Sequence, residues 1–237
     1  MTLPRAIHRT QAWYRRLTVP QFTVVTGLLV ITIGTLLLSS PVCSSRSVGL
    51  WEALFTATSA VTVTGLTVID VGKDLTTVGQ AVLAIMILVG GLGLMAITTF
   101  LQGFVVRGAS LRRRLDRGQT PDQFGVGGVG GTFRSIAVTA AVLIMVGAFV
   151  LYTYGFSDLP AGGERLWASV FHSISAYNNA GFGLWNDSLE SYRTNRVVNV
   201  VIMLLIVLGG LGWRVTSDLW SNRQRLKRRN LSLHTRL

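Results

Sequence analysis

Apolar residues fall in four long runs without a charged side chain: Leu17–Ser45, Leu75–Val106, Ser135–Ser157 and Val197–Trp213. The most apolar parts of the first two are Phe22–Leu38 and the stretch from Val82 through Met95. A helix needs about 20 residues to cross a ~30 Å hydrocarbon core, so the pattern predicts four spanning helices. The fourth run is the shortest at 17 residues, but Arg196 before it and Arg214 after it can snorkel toward the head groups. None of the four keeps the polar face that a helix of a soluble bundle turns to water. No small-residue cleavage site follows Phe22–Leu38, which reads as a retained helix and not as a secretory leader.

The segments between the spans repeat one another. Trp51, Phe55, Ser59, Ala60 and Gly65 recur at an offset of 116 as Trp167, Phe171, Ser175, Ala176 and Gly181. The following helices match at an offset of 119, Ile87-Leu88-Val89-Gly90-Gly91-Leu92-Gly93 against Ile206-Val207-Leu208-Gly209-Gly210-Leu211-Gly212. Two ordered blocks in a nearly constant frame point to internal duplication, with a three-residue insertion in the second outer loop. Each unit reads as helix, short apolar segment, glycine, helix. Ten residues, Trp51–Ala60, make only ~15 Å of helix, about half the bilayer core. Such a segment can enter, stop near the midplane and return as extended chain, a path tolerated only inside protein or beside a watery cavity. The predicted fold is therefore an all-α membrane protein. It has two parallel helix–pore-helix–helix repeats: four spanning helices plus two re-entrant half-helices with extended filter strands. The expected divisions are a basic amino terminus (1–21), a first repeat (22–106), a linker (107–133), a second repeat (134–219) and a basic tail (220–237).

Composition agrees. The chain of 237 residues is 49% apolar and only 14% charged, against about 25% charged in soluble domains. Its net charge of +12 invites a nucleic-acid reading, which the distribution of the charge refutes. Four basic residues precede the first span, six lie between the second and third, and seven follow the fourth. The opposite side has Arg46, Lys73, Arg165, Arg193 and Arg196 with seven acids, Asp70, Asp74 and Asp187 among them. The positive-inside rule then makes the basic side and both termini cytoplasmic in a multi-pass protein of the inner (plasma) membrane. Anionic lipid head groups are the expected partner of that charge. The one cysteine, Cys43, excludes a disulfide framework and, with three scattered histidines, makes a poor metal site.

A short helix descending from outside points its carboxyl end, worth about −0.5 charge, at the membrane centre. That favours a cation there. The return segment Thr62-Val63-Thr64-Gly65-Leu66, and Asn178-Asn179-Ala180-Gly181-Phe182 in the second unit, offer successive carbonyls that can replace a hydration shell. Neither Val61–Ile69 nor Asn178–Asn186 holds a carboxylate, which a calcium or magnesium site would supply. A monovalent cation, potassium ahead of sodium, is the expected cargo.

These residues resemble a known family. Trp51–Leu66 is similar to the first pore loop of the Trk/Ktr/HKT superfamily of potassium transporters, and Phe171–Phe182 to a later one. The Gly-Gly-Leu-Gly blocks at 90–93 and 209–212 resemble the helices that follow such loops, and the likeness is closest to the bacterial Ktr-type membrane subunit. It implies four repeats around one pore with one filter glycine each, Gly65 and Gly181 being two of them. Glycine in the first filter goes with potassium selectivity in the family. The family's gating loop and pore arginine belong to the third and fourth repeats and match no residue here; Arg214 reads as the anchor of the fourth helix. The resemblance also implies a cytosolic nucleotide-binding regulatory subunit, for which the basic loop Arg107–Arg117 and tail Arg223–Arg236 are the docking candidates. A homodimer is the expected assembly. The competing reading is a non-conducting membrane scaffold or truncated relic of a cation transporter.

Other signals are weaker. Gly125-Val126-Gly127-Gly128-Val129-Gly130 matches a dinucleotide fingerprint formally, but no strand precedes it and no acid follows at the required distance. A flexible linker, Gly118–Gly131, is the better reading. His172 is expected as a packed polar group satisfied by neighbouring hydroxyls, Asn178 and Asn179 as filter carbonyls whose side chains brace the loop. No nucleophile–base pair or metal-ligand spacing stands out, so no enzyme and no bound cofactor are expected.

Overall fold

The computed structural model describes residues 19–93 and 126–211. Their regular structure is helical, apart from one isolated bridge between Ser44 and Leu75. The first half contains α1 (Val19–Leu38), the short α2 (Leu50–Val61), a single turn α3 (Val71–Asp74) and α4 (Thr77–Gly93). The second contains α5 (Val126–Val150), which runs into a π-turn at Leu151–Gly155, then the short α6 (Gly163–Tyr177), a 3-10 turn at Glu190–Tyr192 and α7 (Arg196–Leu211). Among these, Arg134–Gly155 is the stretch long and apolar enough to cross a membrane. Val24–Leu38, Thr77–Gly93 and Arg196–Leu211 are shorter apolar helical stretches, the last two reaching the edge of the described residues.

Helix α5 starts earlier than expected. Val126–Gly131, assigned above to a flexible linker, is helical. Gln123–Phe133 carries no charged side chain, and no proline between Val126 and Val150 interrupts the ladder. The basic residues before Val19, the loop Arg107–Arg117, Gly118, Gly125, Gly212 and everything from Arg214 through the tail lie outside the described residues.

Helix α2 begins at Gly49, whose N–H donates to Glu52 Oε2 at 2.9 Å, one arm of a capping box. Its buried face, Ala53, Thr56, Ala57, Ser59 and Ala60, is made of small residues, which let helices approach closely where no water drives them together. Helix α6 is buried over nearly all of Ala168–Tyr177 and forms the centre of the molecule, packed against α5 and α7. One core joins the halves: Leu38, Ala57, Leu83 and Ile87 from the first meet Ala140, Phe171, Ile174 and Leu205 from the second.

The connections that lead into and out of the short helices are closed by polar clasps. Arg46 reaches Asp74 (Nε to Oδ1, 2.8 Å) and Glu52 (3.5 Å), tying the approach to α2, its first turn and α3 together. The guanidinium beside it holds the Asp74 carboxyl below the usual carboxylate range. In the second half Tyr192 OH donates to Asp158 at 2.8 Å and Asn195 Nδ2 to Gly155 O at 2.8 Å.

The Gly-Gly-Leu-Gly blocks act as notches. A Cβ placed on Gly90 would collide with Val61 O, and one on Gly209 with Tyr177 O, the last residues of α2 and α6. Gly93 faces open space. Gly90→Ala is therefore expected to lower stability by roughly 1–3 kcal/mol through overpacking against backbone. Gly93→Ala should leave it unchanged or slightly raised. Thermal unfolding of the two variants in one detergent checks this.

Candidate functional site

Both short helices end in the same way. In α2, Thr64 N donates to Ser59 O (2.8 Å), Val63 N to Ala60 O (3.3 Å) and Thr62 N to Thr58 O (2.9 Å). In α6, Ala180 N donates to Ser175 O (2.8 Å), Asn179 N to Ala176 O (3.0 Å) and Asn178 N to Ile174 O (3.1 Å). Every pair is displaced by 116 residues. The pattern is a Schellman motif, whose defining residue sits in the left-handed region: Val63 at φ 56° and Asn179 at φ 57°. Asparagine tolerates that conformation, whereas a β-branched valine is strained by about 1–3 kcal/mol.

This termination changes the expected course of the return segments. Thr62, Val63, Asn178 and Asn179 form turns that close their helices, and the non-helical chain beyond them begins at Thr64 and Ala180 without forming a strand. The predicted extended filter strands are shorter than expected, because the caps use the first two residues of each. Most of the last helical carbonyls already accept cap N–H groups, and those of Val61 and Tyr177 pack against the glycine notches.

Gly65 (φ 84°) and Gly181 (φ 75°) follow, again 116 residues apart and both in the region that disfavours side chains. They meet: a Cβ on Gly65 would collide with Ala180 O and lie 3.1 Å from Gly181 Cα, and one on Gly181 would lie 3.4 Å from Gly65 Cα. Thr62, Thr64, Leu66, Asn179 and Gly181 are exposed, while Ala180 and Phe182 are buried. At the tip of the first loop Thr62 and Thr64 share a hydroxyl–hydroxyl bond of 2.7 Å, and Thr62 also donates to Thr58 O (2.8 Å).

The side chains behind the loops differ. Ser175 Oγ donates to Phe182 O (2.7 Å), fastening the second return segment to α6. His172 Nδ1 bonds Ala168 O at 2.8 Å, its Nε2 faces Leu184 N–H at 3.5 Å, and its ring stacks on Trp185 at 4.5 Å. These contacts select the neutral Nδ1–H tautomer. The histidine is thus satisfied by backbone, not by the hydroxyls expected. The matching residues of the first loop, Thr56 and Ser59, are buried with hydroxyls that find no partner among the described residues. Asn178 Nδ2 donates to Ile174 O (2.8 Å), and its buried Oδ1 lies against Gly91 of α4, in the other half. Asn179 Nδ2 lies against Gly209.

Two features escaped the sequence reading. Ser59 and Ser175 marked the repeat, but their different bonding depends on tertiary placement. Gln80 is a polar residue inside an apolar run. Its Oε1 accepts from Trp167 Nε1 (2.7 Å) and its Nε2 donates to Val71 O and Leu75 O (each 3.3 Å), joining the halves. Its interruption of that run was the available signal. Among the described residues no group of three or more His, Cys, Asp or Glu could hold a metal ion.

Comparison with known proteins extends the description. The family model TrkH, described as a cation transport protein, matches residues 8–234. The Ktr system potassium uptake protein B of Bacillus subtilis is 37% identical over 227 residues, covering 94% of this chain and 49% of that protein. Its namesake from Vibrio alginolyticus is 35% identical over 202 residues, 85% of this chain and 44% of the relative. The potassium/sodium uptake protein NtpJ of Enterococcus hirae is 32% identical over 225 residues, 94% and 49% respectively. The chain spans about half the length of the curated relatives it matches.

The unequal bracing is testable. Ser175→Ala leaves the Phe182 carbonyl without its donor and should cost about 1–3 kcal/mol. Ser59→Ala removes an unpaired hydroxyl and should be neutral or stabilising. The check is the difference between their unfolding midpoints in one detergent; equal losses would contradict the asymmetry.

Proposed function

The chain belongs to the TrkH family of cation transport proteins, and on that footing we propose that it carries potassium ions into the cell along a path bordered by its two return segments. The observation that carries this reading is the meeting of Gly65 and Gly181, each just beyond a helix closed by the same cap. Transport requires that water around the ion be exchanged for oxygen atoms at little net cost. The peptide carbonyls of Thr64–Leu66 and Ala180–Phe182 are the groups available for that exchange. Thr62, Val63, Asn178 and Asn179 form the caps that hold those peptides in place. Ser175 keeps one lone pair of Phe182 O directed behind the loop. No carboxylate lies in either return segment, which suits a monovalent ion held weakly enough to leave. Uptake runs down the electrochemical gradient; an inside-negative potential contributes about 2.3 kcal/mol per charge per 100 mV.

In this reading α1, α4, α5 and α7 span the inner membrane, α2 and α6 are re-entrant half-helices, and the two units are parallel repeats about an axis along the membrane normal. Both termini are cytoplasmic, where the basic clusters meet anionic head groups. Two relatives carry a Ktr system in their names, which supports a system partner. We assign that role to a cytosolic nucleotide-binding subunit docked on Arg107–Arg117 and Arg223–Arg236.

Two experiments test the proposal. Cysteines substituted for Asp70 and Asp187 in a Cys43→Ala background should react with an impermeant maleimide in intact cells; reaction only after permeabilisation overturns the topology. Rubidium and sodium uptake should then be compared at matched surface amounts in potassium-uptake-deficient cells. Gly65→Ser should reduce the rubidium-over-sodium ratio about tenfold, the equivalent of ~1.4 kcal/mol. The substitution both strains the backbone and pushes against Ala180. Gly181→Ser should act in the same direction but less, since a Cβ there has more room. Gly27→Ser, with nothing within 4 Å, is the control. Wild-type selectivity and flux in Gly65→Ser would remove the return segments from the ion path.

A further inference from the structure

Helix α4 belongs to the first unit but grips the second at two heights. Near its start, Gln80 Oε1 accepts from the indole N–H of Trp167, which opens α6 (2.7 Å). Near its end, Gly91 makes room for the carboxamide of Asn178, the residue that closes α6. A Cβ on Gly91 would collide with Asn178 Oδ1 and lie 2.9 Å from Asn178 Cβ. The two contacts are eleven residues apart on both helices, 80 to 91 and 167 to 178. Eleven residues make about three turns and ~16 Å of rise, so both contacts fall on one face of each helix. The two helices therefore run in the same direction in matched register. One attachment would leave α6 free to swing; two at this spacing fix its height and its tilt. Helix α4 is itself held within the first unit. A Cβ on Gly79 would collide with Cys43 O and one on Gly90 with Val61 O, while the Met86 thioether fills the space beside Gly34 of α1.

We propose that α4 is the ruler against which the second return segment is set, with Gln80 and Gly91 as positioning residues for cation selection. The proposal rests on the transport reading above. Neither residue touches the ion; Gln80 acts through Trp167 and Gly91 through Asn178. The route from Gly91 is short. Asn178 N and Nδ2 both donate to Ile174 O (3.1 and 2.8 Å), so the carboxamide cannot turn away from Gly91 without giving up a bond of the cap. Asn179 follows in the left-handed region, and then Ala180, whose carbonyl stands where a Cβ on Gly65 would be. A displaced Asn178 thus shifts the Ala180 peptide relative to Gly65. That shift changes the placement of the carbonyls by which a larger cation is told from a smaller one. A glycine is required at 91 for packing against the opposite unit, a demand separate from that at Gly90, which meets α2 of its own unit.

The test compares rubidium and sodium uptake by the full-length protein at matched surface amounts in potassium-uptake-deficient cells. Gly91→Ala should lower the rubidium-over-sodium ratio about threefold. The decisive comparison is made in an Asn178→Gly background, where the obstructing side chain is gone. There, adding Gly91→Ala should leave the ratio as Asn178→Gly alone sets it. Gly93→Ala, two residues along the same helix with nothing within 4 Å, is the control and should match the wild type. At the other attachment, Trp167→Phe keeps a ring without the donor and should lower the ratio about twofold. An unchanged ratio in Gly91→Ala overturns the proposal, as does an equal further loss when Gly91→Ala is added to Asn178→Gly. An unchanged ratio in Trp167→Phe also overturns it, and that variant decides alone if Gly91→Ala does not reach the membrane. Altered selectivity in Gly65→Ser alongside an unchanged Gly91→Ala would leave the transport reading standing and remove only the ruler. Unaltered selectivity in Gly65→Ser would remove the transport reading itself.

Discussion

Ending a helix within a packed apolar protein leaves up to four carbonyl groups without intrahelical partners, and the chain leaving the helix must answer them. Helices α2 and α6 meet that demand identically. A left-handed residue turns the chain so that its own N–H groups satisfy most of the last carbonyls, and a glycine on the following helix leaves room for the last carbonyl to pack against it. The glycine notches, the tight packing of the exit helices and the departure of the chain into Thr64 and Ala180 follow from this solution. So does the strain at Val63, where a residue unsuited to the left-handed region is held in it by the surrounding contacts.

The two loops are equivalent in backbone and unequal in support. The second is fastened to its helix by Ser175 and backed by His172 and Trp185, whereas the first has buried hydroxyls at the same places without partners among the described residues. Asn178 reaches across to Gly91, so the second loop is also the one that registers the position of the opposite half. The pair thus combines one segment fastened by a serine to its own helix with one that lacks that bond, at the place where, in our proposal, a permeating ion exchanges water for protein oxygen.

Much of this was legible in the sequence because it is carried by local rules. The apolar runs, the offsets of 116 and 119, and the glycines at 65, 90, 181 and 209 announce helices, duplication, turns and close packing. What was not legible depends on partners far along the chain. Val63 argues by its own preference against the conformation it adopts. The link between Trp167 and Gln80 spans 87 residues and looks in sequence like an aromatic in one apolar helix and an amide in another. The early start of α5 at Val126 was hidden by glycines of weak helix preference and by Arg134, which ends the apolar run that the helix otherwise follows.

The central claim is that the meeting place of Gly65 and Gly181 is where a cation sheds its water. Anomalous scattering from crystals of the protein grown in rubidium in place of potassium examines that place directly. The account predicts a rubidium peak beside the backbone of Thr64–Leu66 and Ala180–Phe182, diminished when potassium is returned and little affected by sodium. A rubidium peak confined to other parts of the protein, or density at the glycines that sodium displaces as readily as potassium does, would contradict it.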